Sequence, residues 1–148
     1  MDLNNTTKTV LVTGGSRGIG AAISLELGKK EHNVIVNYNT KVDEANAIVE
    51  QIIKQGGNAI AIQANIAMPE DSQRLFQEIE ARFGQVDILV NNAGITRDKS
   101  FRKMQKTEWD EVINTNLSSA YNTSQLAIHK MIENKYGRII NISSVIGQ

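Results

Sequence analysis

The segment Thr13-Gly14-Gly15-Ser16-Arg17-Gly18-Ile19-Gly20 places four glycines in eight residues, between a β-branched apolar run and a helical pattern. This spacing suits phosphate chemistry. Gly14 permits a sharp turn, Gly18 lets backbone approach a pyrophosphate, and Gly20 lets a helix and a strand pack closely. A helix opening at Gly18 offers free N–H groups and the positive end of its dipole to the phosphates. Gly14, Ser16, Arg17, Gly18, Ile19 and Gly20 are therefore the candidate residues of a dinucleotide-binding turn. The alternative is a tight βα turn with no ligand. The context of first strand, first helix and second strand at suitable distances favours the dinucleotide.

The end of the second strand bears on which dinucleotide. An acid there, about twenty residues after the glycines, would hold the ribose 2′-hydroxyl of NAD. This chain has Asn37-Tyr38-Asn39 instead. The Arg17 guanidinium is suited to pairing with a 2′-phosphate. NADP(H) is the expected cofactor, with Tyr38 among its contacts; a solvated Arg17 is the alternative.

The elements that must position these residues alternate along the chain. Thr9–Thr13, Asn33–Asn37, Asn58–Gln63, Val86–Val90 and Arg138–Ile142 are predicted strands, mostly apolar with little alternation. Helices are predicted between them: one from Gly18 with Ile19, Ile23 and Leu27 on a face, and one carrying Ala45, Ile48, Val49, Ile52 and Ile53 and ended by Gly56-Gly57. A third starts at Pro69, carries Leu75, Phe76, Ile79 and Phe83, and closes at Gly84. A fourth, long one begins at a capping box over Thr107–Asp110 and runs to about Tyr136, before Gly137. Apolar strands each followed by a helix indicate a parallel sheet covered on both faces. The predicted fold is α/β: a Rossmann-type doubly wound parallel sheet of order 3-2-1-4-5, one domain over residues 1–148.

Composition excludes several other classes. The 148 residues carry 16 basic and 16 acidic side chains, for a formal net charge of zero, so overall charge suggests neither a nucleic-acid nor a membrane-surface partner. There is no cysteine, hence no disulfide or thiolate metal site. His32 and His129 lack partners at metal-ligand spacing, so no metal is expected. No secretory leader is visible, and no apolar run approaches the roughly 20 residues that span a bilayer. The expectation is a cytoplasmic protein with neither nucleic acid nor membrane as partner.

Four segments occur together in one order: the glycine turn, Asn91-Asn92-Ala93-Gly94, Asn116-Leu117 and Asn141-Ile142-Ser143-Ser144. In order and spacing they resemble the short-chain dehydrogenases/reductases, over nearly the whole chain. Ile95-Thr96-Arg97-Asp98, Phe101-Arg102-Lys103-Met104 and Ser144-Val145-Ile146-Gly147-Gln148 look most similar to the acetoacetyl-CoA reductases of polyhydroxyalkanoate synthesis. The 3-oxoacyl-[acyl-carrier-protein] reductases of fatty-acid synthesis are close behind. The resemblance implies NADPH-dependent reduction of a 3-oxoacyl thioester, carried by CoA or by acyl-carrier protein, to the (R)-3-hydroxyacyl product, by homotetramers in full-length relatives.

By the same resemblance, Ser144 and Asn116 are the catalytic candidates, Ser144 positioning the substrate oxygen and Asn116 ordering a proton-relay water chain through its helix. Asn92, Ala93 and Gly94 line the cofactor. Asn65 and Ile66 occupy the place beside the adenine where many members have Asp-Val, and Asp98 contacts the acyl-CoA. Plainer readings stand beside these: Asn116 as an amide holding a helix bend, Asn91 as a tie between strands, Asp98 as a solvated charge. The resemblance also implies a tyrosine about a dozen residues after the serine and a lysine four later, as tuned general acid and its partner. Only four residues follow Ser144, and Tyr38, Tyr121 and Tyr136 are followed four later by Val42, Gln125 and Ile140. The expectation is an incomplete reductase that lacks the family's last strands, leaves its fifth strand as an edge and is inactive alone. Its rival is a non-catalytic dinucleotide-binding fragment. Arg97, Lys99, Arg102, Lys103 and Lys106 form a basic run that either recognises CoA phosphates or an acidic carrier, or is a solvated loop.

Overall fold

The structure, a computed structural model, describes residues 7–144; Val145 to Gln148, which carry part of the resemblance, lie outside the described residues. The elements run β1 (Thr9–Val12), α1 (Gly18–Gly28), β2 (Asn33–Tyr38), α2 (Val42–Lys54), β3 (Asn58–Gln63), α3 (Pro69–Phe83), β4 (Ile88–Asn91), α4 (Lys106–Ile113), α5 (Ser119–Glu133) and β5 (Arg138–Asn141). All neighbouring strands are parallel, in the order β3-β2-β1-β4-β5. The chain order reverses between β1 and β4, and a crevice opens there at the carboxyl ends of the strands.

Successive strand residues point to opposite faces, and both faces are covered except at β5, where the expectation of double burial fails and Ile140 is 47% exposed. Leu11, Ile35, Ile62 and Leu89 pack with Leu75 and Ile79 of α3 and with Ala127 and Met131 of α5. Val10, Val12, Val34, Val36 and Val90 pack on the other side with Ala45, Ile48 and Ile52 of α2 and Ala21 of α1. This double burial is why the strands read as continuous apolar runs. The α3 boundaries follow ordinary end chemistry: Pro69 in the first turn, Glu70 and Asp71 facing the dipole, and Gly84 at φ +78° after the last turn.

Three local expectations are corrected. The buried face of α1 is Gly20, Ala21, Ser24 and Gly28, not a stripe led by Ile19, which is 63% exposed. Small residues let this helix approach the sheet, and Ile19 is turned toward the crevice. The capping box of α4 uses Gln105 and Glu108 rather than Thr107 and Asp110: the Glu108 carboxylate accepts from the Gln105 N–H (3.0 Å) and the Glu108 N–H donates to the Gln105 carbonyl (3.1 Å), so the helix starts at Lys106. The predicted long helix is interrupted by a π turn at Asn114–Ser118, and α5 ends at Glu133, ahead of Lys135 at φ +52°. Among the described residues no helix is long and apolar enough to cross a membrane.

Candidate cofactor site

A cleft of about 680 Å³ lies at the carboxyl ends of β1, β2, β3 and β4. Gly14, Ser16, Arg17, Gly18, Ile19, Tyr38, Asn65, Ile66, Asn92, Ala93 and Gly94 all line it. Gly20 does not. A Cβ there would lie 2.2 Å from the Gly14 carbonyl oxygen and 2.4 Å from Asn92 Nδ2, so this glycine is what allows α1 to begin against the turn. Gly18, at φ +53°, faces open space where a Cβ would be. The N–H groups of Ser16, Gly18 and Ile19 have no partner among the described residues. Unpartnered donors around a side-chain-free opening at a helix start fit a phosphate.

Hydrogen bonds hold the turn rigidly. Thr13 Oγ1 donates to Val90 O (3.3 Å) and accepts from the N–H groups of Asn92 (3.0 Å) and Ala93 (3.1 Å). Asn92 Nδ2 donates to the carbonyls of Thr13 (3.0 Å) and Gly14 (3.1 Å). The Asn92 side chain thus braces the turn. Asn91 ties elements together: Nδ2 donates to Ser124 Oγ (3.2 Å) and Asn141 Oδ1 (2.9 Å), while Oδ1 accepts from Thr123 Oγ1 (2.6 Å).

Sequence reasoning missed Asn37. It is 2% exposed; its Oδ1 accepts from Gly14 N (3.4 Å) and its Nδ2 donates to Ile62 O (3.3 Å) and Ala64 O (3.1 Å), while its own carbonyl accepts from Gly15 N (2.9 Å). One buried amide thereby joins the glycine turn to the end of β3. The visible signal was a polar residue at the end of an apolar strand. The loop after β3 is likewise held from outside. Ile66 O accepts from Ser72 Oγ (3.2 Å) and Asn122 Nδ2 (3.1 Å), and Asp71 Oδ2 accepts from Asn65 N (2.9 Å).

The cleft is electropositive at its mouth. Arg17 and Lys41 line it without an acidic partner among the described residues, whereas Arg97 is paired with the one lining acid, Glu111 (2.9 Å). Among the described residues no carboxylate lines the end of β2. The basic run is largely neutralised by α4: Lys99 pairs with Glu108 and Lys106 with Asp110, leaving Arg102 and Lys103 without acidic partners among the described residues. The N–H of Gln105, and then Lys99, hold the Glu108 carboxyl below its ordinary range.

The remaining candidates are more dispersed. Asn116 lies in the π turn, where Oδ1 accepts from Ile95 N (2.8 Å) and Nδ2 donates to Ile95 O (2.9 Å), so its amide clamps the chain after Gly94. Ser144 is exposed beyond the carboxyl end of β5. Asp98 is exposed and is not among the cleft-lining residues. Among the described residues no group of three or more His, Asp or Glu is placed to hold a metal ion.

The family model for short chain dehydrogenase matches residues 8–148. A 3-oxoacyl-[acyl-carrier-protein] reductase of Staphylococcus aureus is 47% identical over 141 residues, covering 95% of this chain and 57% of the relative. A 3-oxoacyl-[acyl-carrier-protein] reductase of Synechocystis is 43% identical over 142 residues, covering 96% of this chain and 58% of the relative. A crystal structure of a metagenomic short-chain oxidoreductase in complex with NADP superposes with a TM-score of 0.91 at 34% identity, covering 95% of this chain and 64% of that one. The chain thus spans a little over half the length of the curated relatives it matches. A glycine turn open to phosphate, a sheet of order 3-2-1-4-5 and a family model matched from residue 8 onward lead to one conclusion: the chain belongs to the short-chain dehydrogenase family.

Proposed function

We propose that this chain is the NADP(H)-binding portion of a reductase acting on 3-oxoacyl thioesters. The observation that carries the cofactor reading is the cleft itself: among the described residues, N–H groups without partners at the start of α1, Arg17 and Lys41 at the mouth, and no acid at the end of β2. A bound NADPH supplies a hydride at its nicotinamide. The phosphate turn binds, Arg17 pairs with the 2′-phosphate, and Ala93 and Gly94 line the inner end of the cleft. Ser144 donates a hydrogen bond to the substrate carbonyl oxygen. Asn116 fixes the backbone after Gly94 and acts as a positioning residue.

The sequence segments around Asp98 and Met104 support acetoacetyl-CoA as the thioester. The names of the curated relatives support acyl-carrier-protein thioesters as a second reading. No Tyr-x-x-x-Lys occurs in the 148 residues, so the polypeptide of these residues alone is proposed to bind NADPH without turnover. A chimera tests the reaction: these residues replace the matching part of the Staphylococcus aureus relative, and NADPH oxidation is followed with acetoacetyl-CoA and acetoacetyl-carrier protein. Reduction of neither thioester would overturn the reading. Turnover by the 148-residue polypeptide at a rate near that of the relative would overturn its proposed inactivity.

A further inference from the structure

Asn65 stands where the base of a bound dinucleotide must lie. Phosphates at the start of α1 and a ribose at the end of β2 leave the base over the next strand outward, where Ala64, Asn65 and Ile66 line the cleft. All but one of the hydrogen-bonding groups of Asn65 are engaged. Its N–H donates to Asp71 Oδ2 (2.9 Å), its carbonyl accepts from Met68 N (2.9 Å), and its Oδ1 accepts from Ala67 N (3.2 Å). The last bond sets the orientation of the amide, because only the oxygen can accept an N–H. Nδ2 is left over, without a partner among the described residues.

We propose that Asn65 presents a hydrogen-bond donor to the purine, so that this chain binds 6-oxopurine dinucleotides nearly as well as the adenine dinucleotide. Adenine carries a donor at position 6, whereas a 6-oxopurine carries an acceptor there. Two opposed N–H groups make no bond; a 6-oxo group accepts from Nδ2. An aspartate in the same turn would keep the bond to Ala67 and offer its second oxygen to the base. That oxygen accepts from a 6-amino group and repels a 6-oxo group. Asparagine and aspartate have the same shape here and opposite polarity. The Ile66 N–H, also without a partner among the described residues, favours the N1 acceptor of adenine. The two groups pull in opposite directions, which brings the two bases near parity.

The inference rests on the cofactor half of the proposed function and not on the thioester. Its test is a fluorescence titration of the 148-residue chain with NADPH and with its hypoxanthine analogue, for wild type, Asn65→Asp and Asn65→Ala, with circular dichroism confirming each fold. Wild type is expected to bind the two within about threefold of each other. Asn65→Asp should shift the ratio toward NADPH by about tenfold or more, and Asn65→Ala by a smaller factor in the same direction because Ile66 then acts alone. A wild-type preference for NADPH above tenfold overturns the inference while leaving the cofactor reading intact, and so does a ratio unmoved in both variants. Should Asn65→Asp fail to fold beside Asp71, Asn65→Ala decides alone. Binding of neither dinucleotide by the folded chain overturns the inference and the cofactor reading together.

Discussion

Replacing Gly20 with alanine tests the architecture of the site at its narrowest point. The added Cβ would sit 2.2 Å from Gly14 O and 2.4 Å from Asn92 Nδ2, where real Cβ contacts essentially never fall below 3.0 Å. The obstacle is partly backbone, so a rotamer change cannot relieve it; α1 or the turn must shift by about 1 Å in a close-packed interior. Overpacking of this kind costs about 1–3 kcal/mol. Displacing Asn92 endangers its two bonds to the turn, at about 1 kcal/mol each. With one of the two bonds lost, the total of about 2–4 kcal/mol corresponds to roughly a 30- to 700-fold change in an equilibrium constant. The comparison variant is Gly18→Ala, which meets open space but needs a left-handed residue, at about 1–2 kcal/mol, and puts a methyl group in the cleft. Urea denaturation and NADPH titration are run on both. Gly20→Ala should lower the unfolding midpoint and the affinity together, while Gly18→Ala should lower the affinity with a smaller change in midpoint. Wild-type midpoint and affinity in Gly20→Ala would refute the packing argument.

Arg17→Ser should weaken NADPH by about tenfold and leave NADH nearly unchanged, since a charge-assisted pair to the 2′-phosphate is lost; equal weakening of both dinucleotides would count against that pairing. Asn37→Leu removes one acceptor and one donor at the hub, leaves Ile62 O and Ala64 O short of a partner, and should cost about 2–3 kcal/mol in chemical denaturation. His32 accepts from Lys8 N (3.3 Å), and burial, then the nearby Lys8 charge, push its imidazole below the ordinary 6.5 against the pull of Asp87. A base with a lowered folded pKa leaves the unfolded chain binding more protons, so its contribution is full above pH 6.5 and falls as pH drops from 6.5 toward the folded value. His32→Gln should flatten the stability profile between pH 7.5 and 5.5; an unchanged slope would remove this assignment.

The parts of the fold that could be read from sequence are those set by local chemistry or by double burial. Strand β3 has its predicted ends, and α3 has them too, because Pro69 and Gly84 act within one turn of the residues they bound. The sheet order follows from apolar strands alternating with helices. The missed features depend on partners distant in the chain or on unusual residue choices. Gln105 is a rare N-cap, and a Thr-x-x-Asp pattern stood two residues on to attract the assignment. The buried face of α1 consists of small residues, which hydrophobic periodicity does not register. No proline or glycine marks the π turn around Asn116. Asn122 reaches Ile66 across 56 residues, and the acids that neutralise the basic run lie on a helix whose rotation the sequence alone does not reveal. Every glycine-turn candidate except Gly20 does line the cleft, because the turn and helix start are local.

The Asn37 junction has a thermodynamic consequence. Through it the phosphate turn, the end of β2 and the end of β3 share one set of bonds, so a slip in the pairing of β2 with β3 breaks the turn as well. A ligand held by that turn binds only chains whose sheet is correctly registered. Binding then stabilises by RT ln(1 + [L]/Kd), about 2.7 kcal/mol at a hundredfold excess over Kd. Dinucleotide supply would therefore act on the yield of folded chain during refolding, with the cofactor serving as a selector among strand registers before it takes part in any reaction.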